Sequence, residues 1–260
     1  MVEAVSVVVP AFNEGDEFVV ALERIAAYMD GLEVRYEIVV VDDGSTDSTA
    51  QSIARAQETL GSRLQVTTHD RNRGLSGALR TAFTAVKNPY VVVLDADLSY
   101  APEIVGAMLE KLIGERAAIV VASPYTRGGR VSNVPFVRLA ASRSANWLLA
   151  LYTGRRVATL TGMVRAYRRT FLASIAGEEP VGEINSWILA RALNRGEVVA
   201  EVPAHLCWPA SRRAGANRVP LSKLMRGTLA VLATIGSMNE PTKASSSIVP
   251  IVPDSIQRRA

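Results

Sequence analysis

At 260 residues, with 48% hydrophobic and 21% charged residues, the chain has room for one sizeable α/β core and lacks the composition of a disordered segment. A lone cysteine, Cys207, excludes an intramolecular disulfide framework and a multi-cysteine zinc site and fits a reducing compartment; with only two histidines, His69 and His205, any divalent metal must sit on carboxylates, which points to Mg2+ or Mn2+. The net charge of +4 hides an asymmetry, because arginine is dense from Arg127 to Arg218 while acidic residues are sparse there, a balance that favours phosphates, anionic headgroups or nucleic acid.

In chain order, Val5 to Pro10 is a β-branched run of the kind buried on both sheet faces. A helix is expected from about Glu14 to Met29, with Val19, Leu22, Ile25 and Ala26 on one stripe. A second strand, Tyr36 to Val41, stops at Asp42-Asp43-Gly44-Ser45, and Asp47 reads as the N-cap of a helix running to about Leu60. Leu64 to Thr68 is a third strand, Gly74 to Val86 a helix, and Tyr90 to Leu94 a fourth strand ending at Asp95. Pro102 is placed in the first turn of another helix, and Ala117 to Ala122 is a fifth strand. This alternation predicts an α/β fold with a parallel, doubly wound sheet and ligands beyond its carboxyl edge. Further on, helices are expected at 135–151 and 184–194, a strand at 198–202 and a Gly- and Arg-containing loop at 209–220. An amphipathic helix at 221–238 fits either a membrane interface or docking on the domain. The tail 239–260 is expected to be mobile. The N-terminus lacks a signal-peptide pattern, and no apolar run reaches the roughly 18 residues of a membrane span, so a soluble or peripheral chain is expected.

Three polar clusters fall at strand ends: Asn13-Glu14, Asp42-Asp43 and Asp95-Ala96-Asp97. One aspartate at a strand end is ordinarily a helix cap. Three clusters converging on one edge of a parallel sheet call for a cation or a polar ligand instead. In Asp95-Ala96-Asp97 the spacing of two along an extended segment puts both side chains on one side. A divalent metal there can bridge a nucleoside diphosphate and neutralise charge on a leaving phosphate.

These blocks, Val-Val-Val-Pro-Ala-Phe-Asn-Glu (7–14), Ile-Val-Val-Val-Asp-Asp-Gly-Ser-Thr-Asp (38–47), Asn72 with Gly74, and Leu-Asp-Ala-Asp-Leu-Ser (94–99), resemble family 2 glycosyltransferases of the GT-A fold. The resemblance implies a nucleotide cradle of Pro10, Ala11, Phe12, Asn13, Glu14, Asp42, Asp43, Gly44, Ser45, Asn72, Gly74, Asp95 and Ala96. It also implies metal ligation by Asp95 and Asp97, with Ser99 where some relatives supply a further ligand. Ser-Pro-Tyr-Thr-Arg-Gly-Gly (123–129), Arg-Ser-Ala-Asn (143–146), Leu-Thr-Gly-Met-Val-Arg-Ala-Tyr-Arg-Arg (160–169), Glu-Val-Pro (201–203) and the loop Arg212 to Arg218 are similar to dolichol-phosphate mannose synthases and related polyprenyl-phosphate glycosyltransferases. By that resemblance Arg143, Arg212, Arg213 and Arg218 would grip an acceptor phosphate, and Asp97, Arg143 and Arg212 would be catalytic. Residues 1–122 become the nucleotide-sugar half and 123–238 the acceptor half of one domain. The implied reaction is inverting hexose transfer to a polyprenyl phosphate at the cytoplasmic face of a membrane, GDP-mannose being the first donor and UDP-glucose the next. The family usually has arginine at Pro124, an acidic residue at Thr159, and acidic residues or glutamine around Asn185 and Trp187.

A lipid monophosphate, with a second pKa near 6, is already largely a dianion at neutral pH. It needs cations to approach a diphosphate but no strong base, so an arginine-rich acceptor half is self-consistent. A hydroxyl acceptor would need a base, for which Glu183 is the candidate. A nucleotidyltransferase would need an early glycine-rich phosphate loop, and a dinucleotide-dependent oxidoreductase Gly-x-Gly-x-x-Gly; Pro-Ala-Phe-Asn-Glu stands there instead. A nucleic-acid-binding reading leaves Asp42, Asp43, Asp95 and Asp97 without a role, so no nucleic-acid partner is expected. His69 is expected to be structural and His205 to lie near the arginine loop. Trp147, Tyr152 and Trp187 are expected to pack in the core or a groove rather than touch a cofactor.

Overall fold

The computed structural model describes residues 3–152, 157–160, 162–180 and 184–208. The 209–220 loop, the 221–238 helix, the tail, Glu183, Arg212, Arg213 and Arg218 lie outside the described residues.

The β-branched runs become the centre of a seven-stranded sheet. Its members are β1 (Ala4–Ala11), β2 (Arg35–Asp42), β3 (Leu64–Thr68), β4 (Tyr90–Val93), β5 (Ile119–Ser123), β7 (Arg165–Arg168) and β8 (Val199–Pro203), in the order β3-β2-β1-β4-β7-β5-β8. All eight residues of β1 are buried, as a strand covered on both faces requires. Neighbours β2, β1 and β4 run parallel, with Val7 opposite Ile38 and Val92. On one face pack α1 (Phe18–Gly31), α2 (Thr49–Leu60) and α4 (Ile104–Gly114), through Leu22, Ile53 and Met108 among others. The other face carries α3 (Gly74–Ala85), α6 (Arg169–Ile175) and α7 (Ile184–Asn194), through Leu79, Leu172 and Trp187.

Three differences from the sequence reading have physical reasons. First, β7 is antiparallel to both its neighbours, β4 and β5, and Arg-Ala-Tyr-Arg carries no apolar run to announce it. Arg165 is nonetheless fully buried, its guanidinium donating to the carbonyls of Leu160, Gly162 and Asn185. Second, α1 starts at Phe18 rather than near Glu14, because Asn13 and Gly15 adopt φ of 55° and 71° and break the helical path. Third, the residue capping α2 is Ser48, and Asp47 instead accepts from the Thr49 N–H at 3.0 Å and hydroxyl at 2.5 Å. Pro102 likewise precedes its helix, its carbonyl accepting from Val105 at 3.0 Å.

A second, two-stranded sheet pairs β6 (Arg130–Ser132) with β9 (His205–Cys207) in parallel. The Cys207 N–H reaches the Ser99 carbonyl at 2.8 Å, which ties this small sheet to the loop after β4. The remaining helix, α5 (Phe136–Tyr152), matches the expected 135–151. Trp187 is buried as expected, whereas Trp147 on α5 is 59% exposed. Among the described residues, no helix is long and apolar enough to cross a membrane.

Candidate active site

The carboxyl ends of β1, β2 and β4 open into a cavity of about 830 Å3. Pro10, Ala11, Phe12, Asn13, Glu14, Asp43, Asn72, Gly74, Asp95, Ala96 and Asp97 line it. Strands of a parallel sheet deliver these residues together because their ends share one edge. Gly15, Asp16, Glu17, Leu75, Ala78 and Met163 complete the described lining. Met163 was not singled out in the sequence. Continuing the β4–β7 register, in which Arg165 pairs Val93, sets Met163 beside Asp95, a neighbourhood only the antiparallel strand creates.

Asp42, Gly44 and Ser45 stand behind the cavity rather than in its described lining. Asp42 Oδ1 accepts the Ser45 N–H at 2.9 Å, and Ser45 Oγ accepts the Asn13 N–H at 3.0 Å. Asn13 Oδ1 in turn accepts from Thr46 at 2.9 Å, which laces the loops after β1 and β2 together. The Thr49 hydroxyl accepts the N–H groups of Glu14 at 2.8 Å and Gly15 at 3.1 Å. Thr49 was missed in the sequence, where it reads as an ordinary first-turn residue. Gly44 has φ 76°, and a Cβ there would lie 2.6 Å from the Arg71 carbonyl carbon, so only glycine lets the 42–45 turn meet the 71–74 loop. In that loop Asn72 Oδ1 accepts the Gly74 N–H at 2.9 Å, at the start of α3.

The Asp-x-Asp step is a turn, not the extended segment expected from its spacing. The Leu98 N–H donates to the Asp95 carbonyl at 3.1 Å, and Leu98 itself has φ 49°. Both carboxylates still reach one cavity. Ser99, 1% exposed, donates to Asp97 Oδ1 from its backbone N–H at 3.0 Å and its hydroxyl at 2.6 Å. Next to it, burial and then the Asp95 charge push the Tyr100 phenol well above its ordinary value.

Charge decides what the cavity can hold. Among the described residues its lining carries six carboxylates, those of Glu14, Asp16, Glu17, Asp43, Asp95 and Asp97, and neither lysine nor arginine. A diphosphate would be repelled there unless a cation came with it. No group of three or more His, Cys, Asp and Glu that could hold a metal occurs among the described residues. That donor set suits Mg2+ or Mn2+ all the same, since Mg2+ keeps several waters and takes one or two carboxylates plus substrate phosphates. Asp95 and Asp97 are the two carboxylates on the loop after β4, and Ser99 donates to Asp97 from both its backbone and its hydroxyl.

A second cavity of about 670 Å3 meets the first at Asp97. It shares Glu14, Glu17 and Ala96 with it and adds Arg24, Ser99, His205 and Cys207. His205 therefore lies at the site's edge, its Nε2 2.8 Å from Ser132 Oγ. Arg143 lies outside both described linings, exposed on α5 with its guanidinium 5.9 Å from the Tyr125 ring centroid. At the position where the family usually has an acidic residue, the Thr159 hydroxyl is buried against Ser123 Oγ at 2.7 Å.

A family profile described as Glycosyl transferase family 2 matches residues 6–175. An undecaprenyl-phosphate 4-deoxy-4-formamido-L-arabinose transferase of Edwardsiella ictaluri is 34% identical over 174 residues, which is 67% of this chain and 52% of that protein. The Serratia proteamaculans protein of the same description is 33% identical, with the same coverage. The match thus spans about half the length of these curated relatives. Among solved structures, glucosyl-3-phosphoglycerate synthase from Mycobacterium tuberculosis in complex with Mn2+, UDP and phosphoglyceric acid superposes with a TM-score of 0.68 at 24% identity, over 93% of this chain and 80% of that one. The same protein with Mg2+ and UDP gives 0.66 at 24% identity, over 91% and 79%. At that identity the likeness is one of fold, and the fold is GT-A-like.

Proposed function

The chain belongs to glycosyl transferase family 2, and from that premise we propose that it transfers a sugar, with inversion, from a UDP-linked donor to a polyprenyl phosphate at a membrane surface on the cytoplasmic side. The observation that carries the donor half is the cavity beyond β1, β2 and β4, walled by carboxylates and by Asp95 and Asp97 in particular. The acceptor half rests on the relatives, whose names specify undecaprenyl phosphate.

Phe12 and Leu75, 43% and 40% exposed at the cavity wall, offer apolar surface to a nucleobase. Asp95 and Asp97 would hold Mg2+ or Mn2+ together with the diphosphate, supplying positive charge where the leaving phosphate becomes negative. Asp97, restrained by Ser99, keeps that arrangement in place. A phosphate monoester acceptor arrives largely as a dianion and attacks without a general base. Guanidinium groups of the arginine-rich half, Arg143 among the described residues, would offset its repulsion from the donor.

Mannose from GDP-mannose finds no support. The curated relatives are named for a formamido-arabinose, and the solved structures contain UDP. A UDP-linked pentose or hexose therefore takes first place.

Turnover tests the reading directly. Purified protein with Mg2+ or Mn2+ is offered UDP-glucose, UDP-linked 4-deoxy-4-formamido-L-arabinose and GDP-mannose, with and without a short polyprenyl phosphate, and the lipid is read by mass spectrometry. A glycosylated lipid phosphate from a UDP donor is expected. Donor hydrolysis without lipid product would move the acceptor to a hydroxyl, and no use of any donor would sink the proposal.

A further inference from the structure

His69 has no part in the chemistry above, yet its surroundings are unusually determined. It follows β3, 5% exposed, with Nδ1 2.6 Å from Asp43 Oδ1 and Nε2 2.8 Å from Thr81 Oγ1 on α3. Because a carboxylate only accepts, Nδ1 is the donor in the first of these contacts. Asp43 Oδ1 accepts a second bond, from the Arg73 backbone N–H at 2.9 Å. Asp43 itself is 3% exposed, and it lines the donor cavity. Two donors on one oxygen leave little freedom in the carboxylate plane. Among the described residues no donor reaches Oδ2, the oxygen left for a ligand.

We infer that His69 is a positioning residue for the donor's base, holding Asp43 so that Oδ2 meets the ligand as a pure hydrogen-bond acceptor. The inference rests on the nucleotide-sugar reading of the cavity and narrows it. A base suits that oxygen when it presents a ring N–H flanked by carbonyl carbon, as uracil does at N3 and guanine at N1. Cytosine and adenine carry a bare ring nitrogen at the equivalent place, and its lone pair faces the carboxylate unfavourably. Burial of the Asp43 side chain is compensated because His69 and the Arg73 backbone both donate to it, and the ring that donates is itself held by Thr81.

Binding separates this from a merely structural histidine. UDP and CDP are titrated calorimetrically, with Mg2+ present, against the full chain and against His69→Ala, His69→Asn and the milder Thr81→Val. Wild type is expected to prefer UDP. His69→Ala should shrink the UDP-to-CDP preference by about tenfold, the equivalent of one charge-assisted hydrogen bond. His69→Asn, whose amide can still donate to Asp43, should restore most of it, and Thr81→Val should shrink it by less. Equal weakening of both nucleotides, an unchanged preference, or no recovery in His69→Asn would overturn the inference. Failure of wild type to bind either nucleotide would instead overturn the nucleotide-sugar reading on which it rests.

Discussion

Neighbouring carboxylates of the same sequence type do different work because their partners differ. Asp42 spends Oδ1 on closing its own turn through Ser45, while Asp43, one residue on, is clamped by His69 and Arg73 and lines the cavity. Asp97 is oriented by Ser99 through both a backbone and a hydroxyl donor. Groups that orient a metal ligand typically matter by about 10–100-fold in metal affinity. Ser99→Ala should therefore raise the Mg2+ or Mn2+ concentration needed for half-maximal transfer by about tenfold, leaving turnover at saturating metal nearly intact. Asp97→Ala should lower transfer by roughly 100- to 1000-fold at any metal concentration. A metal titration of both variants distinguishes the two effects, and wild-type activity in Asp97→Ala would remove the metal from the mechanism.

At the level of elements, residues 157–160 lie in neither helix nor strand and are held by side chains from elsewhere. Glu201 on β8 accepts the N–H groups of Ala158 and Thr159, each at 2.9 Å. Asn146 on α5 accepts that of Leu160 at 2.7 Å, and Arg165 takes the Leu160 carbonyl at 2.5 Å. These bonds tie residues 158–160 to β8, α5 and β7. Glu201→Gln sets an amide N–H against one backbone N–H, a loss of about 1–3 kcal/mol. The expected fall in Tm is roughly 3–10 °C. UDP affinity should change far less, because neither Glu201 nor its two partners lines the donor cavity. A scanning-calorimetry trace indistinguishable from wild type would mean that these bonds are dispensable.

Across the whole molecule, several surface carboxylates titrate below their ordinary range. Hydrogen bonds from the Tyr36 hydroxyl to Asp30, the Thr49 hydroxyl to Asp47, the Arg73 guanidinium to Asp70 and the Arg80 guanidinium to Glu179 are the leading causes. A folded-state pKa below the unfolded one contributes stability that is complete above the unfolded value and disappears as pH falls through the folded value. The unfolded references are 3.8 for the aspartates and 4.5 for Glu179. Tm should therefore lose this contribution only once pH drops below about 4.5, and progressively so. The four sites are exposed and each contributes little by itself. Thermal melts between pH 3 and 7 check this: a Tm that rose on acidification through that window would contradict the assigned sign.

The parallel half of the sheet and most of the cavity lining are legible in local residue patterns. Buried parallel strands are continuous β-branched runs, and their carboxyl ends must share an edge, so Val5–Pro10, Tyr36–Val41 and Tyr90–Leu94 already placed Asn13, Asp43 and Asp97 together. The remaining features come from packing between segments far apart in the chain. β7 is a strand through its antiparallel pairing with β4 and β5, β6 and β9 exist only as each other's partners, and His69 acquires its meaning from Asp43 and Thr81. Each of those depends on contacts distant in the chain, and local periodicity carries no record of them.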